Sequence, residues 1–289
     1  MKIMFMGTAA AESIPAVFCE CEVCQLARKM RGRELRTRSG ALIDDVLKLD
    51  FGPDTYWQEM GYGLDFSHLH TVLITHSHGD HLNLMDLGER REGISYVFGE
   101  DKCMTVYGNE RVCEMLKKRL PQSEEYIAVR QLKAFETVTL EGYQVTPLEA
   151  VHCVCTSEQP LNPVIFEGKT VSRSENAFIY YIEKEGKKLL YGHDSDEYTP
   201  ADLAFLAGKK LDVISMDCTN GTKQAEYIGH MGHLDCLKLR QRLLDIGAAD
   251  EHTIFVANHF SHNGYRPIRE LQKLMPGFVI SYDGLEIEF

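Results

Sequence analysis

No run in this chain approaches the ~20 consecutive apolar residues that a membrane-spanning helix needs, although 44% of its residues are hydrophobic. Basic charge is also short: 31 Lys and Arg stand against 43 Asp and Glu, a formal net charge of −12. That deficit argues against broad nucleic-acid binding, which requires a basic footprint. A small phosphate-bearing substrate stays compatible with it, because bound metal cations invert the local field. Residues 1–7 lack the length and layout of a secretion signal and read as a strand. A cytoplasmic location with no membrane partner is the expectation. The nine cysteines are an odd number, so no disulfide framework is expected. No linker, repeat or low-complexity tract stands out, and one domain over residues 1–289 is the economical reading.

What the chain does have is concentrated chemistry. Thr75-His76-Ser77-His78-Gly79-Asp80-His81 follows the apolar run Val72-Leu73-Ile74. Packed as core, its imidazoles and carboxylate would each need a buried hydrogen-bond partner. At a strand end entering a helix they can converge on metal instead. His76 and His78 project to one side of an extended segment, while Asp80 and His81 fall where the chain turns. That division suits two neighbouring ions better than one, and mixed N and O donors fit zinc, manganese or ferrous iron. A second concentration is Cys19-Glu20-Cys21-Glu22-Val23-Cys24. Three thiols so close suggest metal binding more than redox chemistry, with a fourth ligand supplied from elsewhere.

Around these motifs the pattern interleaves strands and helices. Strands are expected over 2–6, 41–50, 69–75, 138–140, 143–145, 177–183, 187–191, 211–216 and 253–257. Helices are expected over 23–30, 82–89, 110–120, 200–207 and 235–244, with Asn109 capping the third and Pro121 stopping it. Residues 277–289 read as strand, turn at Asp283-Gly284, strand, and 160–174 as an inserted loop. Cys103, Cys113, Cys218 and Cys236 read as buried thiols, and Cys153 and Cys155 as spare thiols in a loop. The basic cluster over 28–38 reads as a solvated helix face and loop.

His76-Ser77-His78-Gly79-Asp80-His81 resembles the central motif of the metallo-β-lactamase superfamily. The resemblance implies an α/β fold of αββα type, a sandwich of two mixed β-sheets flanked by helices, with one or two metals at the rim between them. It implies a ligand role for His152 at its strand end and a supporting role behind the ligands for Asp50. It also implies a metal-bridging carboxylate after the strand over 187–191, for which Asp194 is the choice and Asp196 the alternative; His193 beside them stays ambiguous. Gly229-His230-Met231-Gly232-His233-Leu234 opens a helix and resembles the substrate-phosphate region of related phosphodiesterases. It is similar as well to the pyrroloquinoline quinone biosynthesis B group and the long ribonuclease Z-type enzymes. His233, abutting the helix start, is favoured over His230 as the catalytic contact to phosphate or leaving group.

A closer resemblance rests on the cysteine cluster, on His259 and His262 three apart, and on Tyr282-Asp283-Gly284-Leu285-Glu286-Ile287. Together they resemble the phosphoribosyl cyclic phosphate phosphodiesterases of phosphonate breakdown. Carried onto this sequence, Cys19, Cys21, Cys24 and His262 hold one structural zinc. His76, His78 and His152 hold one catalytic ion, Asp80, His81 and His259 the other, and Asp194 bridges. The cofactors are then two divalent ions, Zn or Mn with Fe as a further option, besides the structural Zn. The implied function is hydrolysis of a small, cyclic phosphodiester by hydroxide held between the ions, with Asp80 orienting the nucleophile and His233 assisting. The residues alone say dinuclear metal hydrolase. The alternatives are a lactonase, thioesterase or other ester hydrolase, or a non-hydrolytic metal-binding or redox protein. A small phosphorylated substrate is the expected partner, and a homodimer is left open.

Overall fold

Period-two burial builds the sheets, and here both faces of many strands are apolar. In Phe178–Lys184, Phe178, Tyr180 and Ile182 join one core cluster while Ile179 and Tyr181 join another. Val213–Asp217 divides likewise, with Val213 on one side and Ile214 and Met216 on the other. A strand buried on both faces needs a layer against each. The computed structural model describes all residues except 99–101, 121–123, 153–160, 167–168, 174–175 and 224–228, and gives backbone alone for 161–166 and 169–173.

The first sheet runs, in spatial order, β16 (Leu285–Glu288), β1 (Lys2–Gly7), β2 (Gly40–Ile43), β3 (Leu47–Leu49), β4 (Thr71–Leu73), β5 (Met104–Gly108) and β6 (Ile127–Gln131). The second runs β15 (Phe278–Ile280), β14 (Ile254–Asn258), β13 (Val213–Asp217), β12 (Lys187–Gly192), β11 (Phe178–Lys184), β8 (Tyr143–Glu149) and β7 (Val138–Leu140). Each sheet is antiparallel over one half and parallel over the other, so both are mixed. The helices among the described residues are α1 (Glu22–Met30), α2 (Thr55–Tyr62), α3 (Leu84–Leu87), α4 (Glu110–Arg119), α5 (Pro200–Leu206), α6 (His233–Asp245) and α7 (Ile268–Leu274). None is long and apolar enough to cross a membrane.

Between the sheets, Phe5, Ala41, Leu49 and Leu73 meet Tyr180, Leu189, Tyr191 and Val256. Behind the first sheet, Val72, Ile74 and Val106 pack on Val112 and Leu116 of α4. Behind the second, Ile179, Leu190 and Ile214 pack with Leu206 of α5, Leu239 and Leu243 of α6 and Leu271 of α7. The layers are therefore αββα, as the motif resemblance implied.

Several elements differ from expectation. Residues 41–50 are a hairpin, β2 and β3, because Asp44 and Asp45 both take positive φ (47° and 59°) and turn the chain as an Asn-Gly pair would. The helix expected over 82–89 is shortened to Leu84–Leu87, with Asn83 accepting from the Met85 and Asp86 amides. Where an inserted loop is expected over 160–174, an antiparallel pair forms, β9 (Leu161–Phe166) and β10 (Lys169–Arg173). Helix α2 was not foreseen, since its Tyr56, Trp57 and Met60 are exposed and leave no apolar stripe. Cys113, Cys218 and Cys236 are buried, Cys103 is partly exposed, and Cys153 and Cys155 lie outside the described residues.

One close approach fixes where the central motif sits. The Phe51 amide donates to the His81 carbonyl at 2.8 Å, and the Asn83 amide to the Phe51 carbonyl at 2.7 Å. A Cβ on Gly52 would lie 2.0 Å from the Asp80 carbonyl oxygen. Gly52→Ala must push the Asp80 loop outward and is expected to destabilise the fold by about 1–3 kcal/mol. Urea denaturation checks this; an unchanged midpoint would show that the loop yields without cost.

Candidate metal centre

Strand ends supply the site. Asp50 follows β3, His76 follows β4, His152 follows β8, Asp194 follows β12, Asp217 ends β13 and His259 follows β14. All six are buried. Asp50, Asp194 and His259 take positive φ (57°, 48° and 60°), a strained backbone for side chains with a Cβ that persists where the surroundings over-determine it.

Asp50 orients the motif from behind. Its Oδ1 accepts from the Thr75 amide (2.8 Å) and hydroxyl (2.9 Å), and its Oδ2 lies 2.8 Å from His81 Nδ1. With Nδ1 held by Asp50, Nε2 is the atom that His81 turns to the centre. Beneath Asp50, the fully buried Lys48 ammonium donates to the Asp50 carbonyl at 2.6 Å and the Leu49 carbonyl at 3.3 Å. Burial pushes that ammonium down to about 8, with Asp50 opposing the shift.

Two donor sets converge. In one, His78 Nδ1 lies 2.9 Å from His76 Nε2 and 3.2 Å from His152 Nε2. Burial keeps two of its members neutral: it drives His76 well below the ordinary histidine range, helped by neighbouring His81, and His152 down to about 4. Neutral imidazoles offer lone pairs. In the other set, His81 Nε2 lies 3.1 Å from Asp80 Oδ2 and 2.6 Å from Asp194 Oδ2, and His259 Nε2 lies 3.1 Å from that same Asp194 oxygen. Asp194 reaches the first set too, with His76 Nε2 at 3.9 Å and His152 Nε2 at 4.0 Å.

The donor chemistry fits divalent cations. His81 Nε2, His259 Nε2 and Asp194 Oδ2 are buried without a hydrogen bond of acceptable geometry, although they crowd one another. Orphaned buried polar atoms are costly, and here they face common points. Burial opposes charge on both His81 and Asp194. Even so, the carboxylates of Asp80, Asp50 and Asp194 hold His81 well above its ordinary range, and His259, His81 and His152 hold Asp194 well below its own. The site already favours added positive charge.

The histidine expected to meet substrate is displaced by a neighbour. His233 is the first residue of α6, and its Nδ1 lies 3.0 Å from the Gly221 carbonyl, away from the cleft. His230 lines the cleft instead, with Nδ1 3.0 Å from Asp217 Oδ2 and 3.6 Å from Asp194 Oδ1. The Gly229 turn is tied by its amide to Asp196 Oδ2 (3.2 Å), and His230 follows it at the cleft. Asp217 also accepts from the Thr219 and Met231 amides at 3.0 Å. Its place directly after the strand expected over 211–216 is the sequence signal for it. His193 is buried under the site against Asn258, at 3.0 Å. Asp196 anchors the Gly229 turn and lies outside both donor sets.

The cysteine cluster closes on the C-terminal loop. Cys19 Sγ and Cys21 Sγ lie 3.6 and 3.4 Å from His262 Nδ1, and Cys24 completes a four-donor group. Burial raises the Cys24 thiol to about 12, whereas at Cys21 hydrogen bonds from Cys24 and His262 overcome burial and bring it to about 6. The basic cluster is engaged internally more than expected: Arg28 caps the Cys19 and Ala16 carbonyls, Arg36 is buried, and Arg38 pairs with Asp54 at 3.0 Å.

An αββα sandwich with this His/Asp cluster at its rim defines a metallo-β-lactamase fold. The chain belongs to the family described as Beta-lactamase superfamily domain, whose model matches residues 49–260. Among solved structures it is similar to a diphosphatase of the PhnP family, with TM-score 0.74 and 20% identity over 100% of this chain and 97% of that one. Zinc-bound PqqB from Methylobacterium extorquens gives 0.72 and 20%, with both chains fully covered. The metallo-β-lactamase fold protein YhfI from Bacillus subtilis gives 0.69 and 17%, over 100% and 99%. No curated protein matches the sequence.

Lys48 offers a test of the support beneath Asp50. Lys48→Met removes a buried charge and is expected to raise stability near pH 7 by up to roughly 3 kcal/mol. The loosened Asp50 should weaken metal affinity about tenfold or more. The folded-state pKa lies below the unfolded 10.5, so the folded protein sheds this proton first. Wild-type stability should therefore climb relative to the variant as pH rises from about 8 to 10.5. Denaturation across that range with a zinc titration checks both; a variant less stable at pH 7 would refute the account.

Proposed function

We propose that this chain is a dinuclear metal-dependent phosphodiesterase acting on a small, cyclic phosphodiester. The observation that carries the reading is Asp194, whose carboxylate spans two donor sets with its Oδ2 orphaned between His81 and His259. The sets face an open cleft of about 430 Å³. His76, His78 and His152 would hold one ion, Asp80, His81 and His259 the second, and Asp194 both; Cys19, Cys21, Cys24 and His262 would hold a structural zinc. Bound divalent ions supply acidification of a water and neutralisation of charge on phosphoryl oxygens. Likeness to a PhnP-family diphosphatase agrees with phosphoryl chemistry.

The chain's own residues supply the rest. Asp80 lines the cleft beside His81 and can orient the attacking water. His230 is suited to protonate the leaving alkoxide. Burial disfavours its charge, but Asp217, with Asp194 and Asp196 behind it, pushes its pKa up to about 9. Its Nδ1 is engaged by Asp217 at 3.0 Å, which holds the ring at the cleft. A general acid of this kind contributes about 10²–10⁴-fold.

Hydrolysis of bis-p-nitrophenyl phosphate by protein loaded with Zn or Mn, set against ester and lactone substrates, tests the class. Activity should vanish on chelation and in Asp194→Ala, with metal analysis of the wild type near three ions per chain, two in the His/Asp cluster and one on the cysteines with His262. Ester or lactone turnover without phosphodiester turnover would reject the reading.

The two helix-entry histidines are expected to separate cleanly. His230→Ala should lose about 10²–10⁴ in kcat, whereas His233→Ala should keep most activity and lose some stability. The reverse order would restore the helix-start residue.

A further inference from the structure

We propose that Glu12 forms a hydrogen-bond-accepting subsite that selects phosphodiesters whose esterified alcohol carries free hydroxyl groups and no second anionic group. The proposal rests on the phosphodiesterase reading above. Glu12 lies on the loop between β1 and α1 and lines the same cleft as Asp80, Asp194 and His230. It stands on the wall formed with Ala10, Ala11, Ser261, His262 and Asn263.

The wall presents acceptors. Glu12 Oε1 accepts from the Ser261 hydroxyl and lies 3.8 Å from His262 Nε2, which fixes the carboxylate in place. Among the described residues its Oε2 takes no hydrogen bond, and the side chain keeps 32% exposure. Asn263 gives its Nδ2 to Ser261 Oγ at 3.2 Å, leaving its carboxamide oxygen as a second acceptor on the same wall. Ala10 and Ala11 keep the adjoining surface small. A hydroxyl placed there donates to a charged acceptor, which is stronger than a neutral pair.

The same wall is hostile to a second phosphate. No Lys or Arg is among the described residues lining the cleft. Beside this wall, Arg38 donates through Nε to the Ala11 carbonyl at 2.7 Å and is already paired with Asp54. A second phosphate near Glu12 meets like charge with no Lys or Arg among the described residues of the cleft to offset it, a repulsion of about tenfold or more in binding where water is partly excluded.

The test compares kcat/KM of the metal-loaded protein on ribose 1,2-cyclic phosphate and on the same compound phosphorylated at the 5-hydroxyl, with bis-p-nitrophenyl phosphate as the class control. The wild type should prefer the unphosphorylated sugar by about tenfold or more. Glu12→Gln should narrow that preference, and Glu12→Lys should reverse it. Zinc content and melting temperature are read alongside, and the wild-type ratio decides on its own if a variant is unstable. Equal or better turnover of the 5-phosphorylated compound by the wild type overturns the proposal while leaving the phosphodiesterase reading intact. Turnover of none of the three compounds overturns both.

Discussion

A buried carboxylate crowded by imidazoles, its Oδ2 without a hydrogen bond of acceptable geometry, is the constraint on which the rest of this molecule depends. Asp194 is only 4% exposed, and an isolated ionised carboxylate at such depth is strongly disfavoured. It keeps its charge because His259, His81 and His152 surround it, and it sits at positive φ so that both oxygens face them. Those histidines in turn crowd one another: the ring centroids of His76 and His81 are 4.4 Å apart, and those of His76 and His152 4.8 Å. Groups that would separate in solution are held together, and the holding is done by the sheets. Asp50, Asp194 and His259 each take a strained backbone directly after a strand buried on both faces. Strain of order 1–3 kcal/mol per residue persists only against such rigid support.

That dependence explains which parts of the fold and site were legible in the sequence. Strands buried on both faces read as apolar runs, so the segments before His76, Asp194, Asp217 and His259 were recognisable, and each polar residue breaking such a run marked the rim. The Asp44–Asp45 turn was not, because neither residue is the glycine or asparagine that usually announces left-handed backbone. Helix α2 was illegible for the opposite reason: its exposed Tyr56, Trp57 and Met60 present no periodic apolar face.

The exchange of His233 for His230 shows where local rules stop. A helix N-terminus is an anion site by default, and His233 occupies one. What overrides the default is long-range: Asp217, brought from β13, captures His230 Nδ1, and Asp196, from beyond β12, holds the Gly229 amide. Neither partner is adjacent in sequence, and no periodicity reports a contact between loops of separate strands. Lys48 belongs to the same class. Within the alternation of β3 it reads as an outward-facing polar residue, yet its ammonium is buried under the Asp50 carbonyl.

The C-terminal loop shows how one short segment serves two donor groups. The Phe260 amide donates to the Thr8 carbonyl (2.9 Å) and the Ala10 amide to the Phe260 carbonyl (3.0 Å), so residues flanking His259 run alongside the loop that carries Glu12 and leads to the cysteines. The Phe260 ring is buried, with the Arg36 guanidinium 4.7 Å from its centroid and equally far from that of Tyr265. Arg36 also donates to Thr8 Oγ1 at 2.7 Å and to the Tyr265 hydroxyl at 3.0 Å. With Phe260 clamped between them, His259 and His262 cannot turn to the same side: the positive φ at His259 sends its ring to Asp194, and the chain beyond Phe260 carries His262 to Cys19 and Cys21. Whatever orders the cysteine cluster therefore also restrains the backbone that aims His259. The first and last segments of the chain are coupled through a buried arginine, and through it the two donor groups are coupled as well.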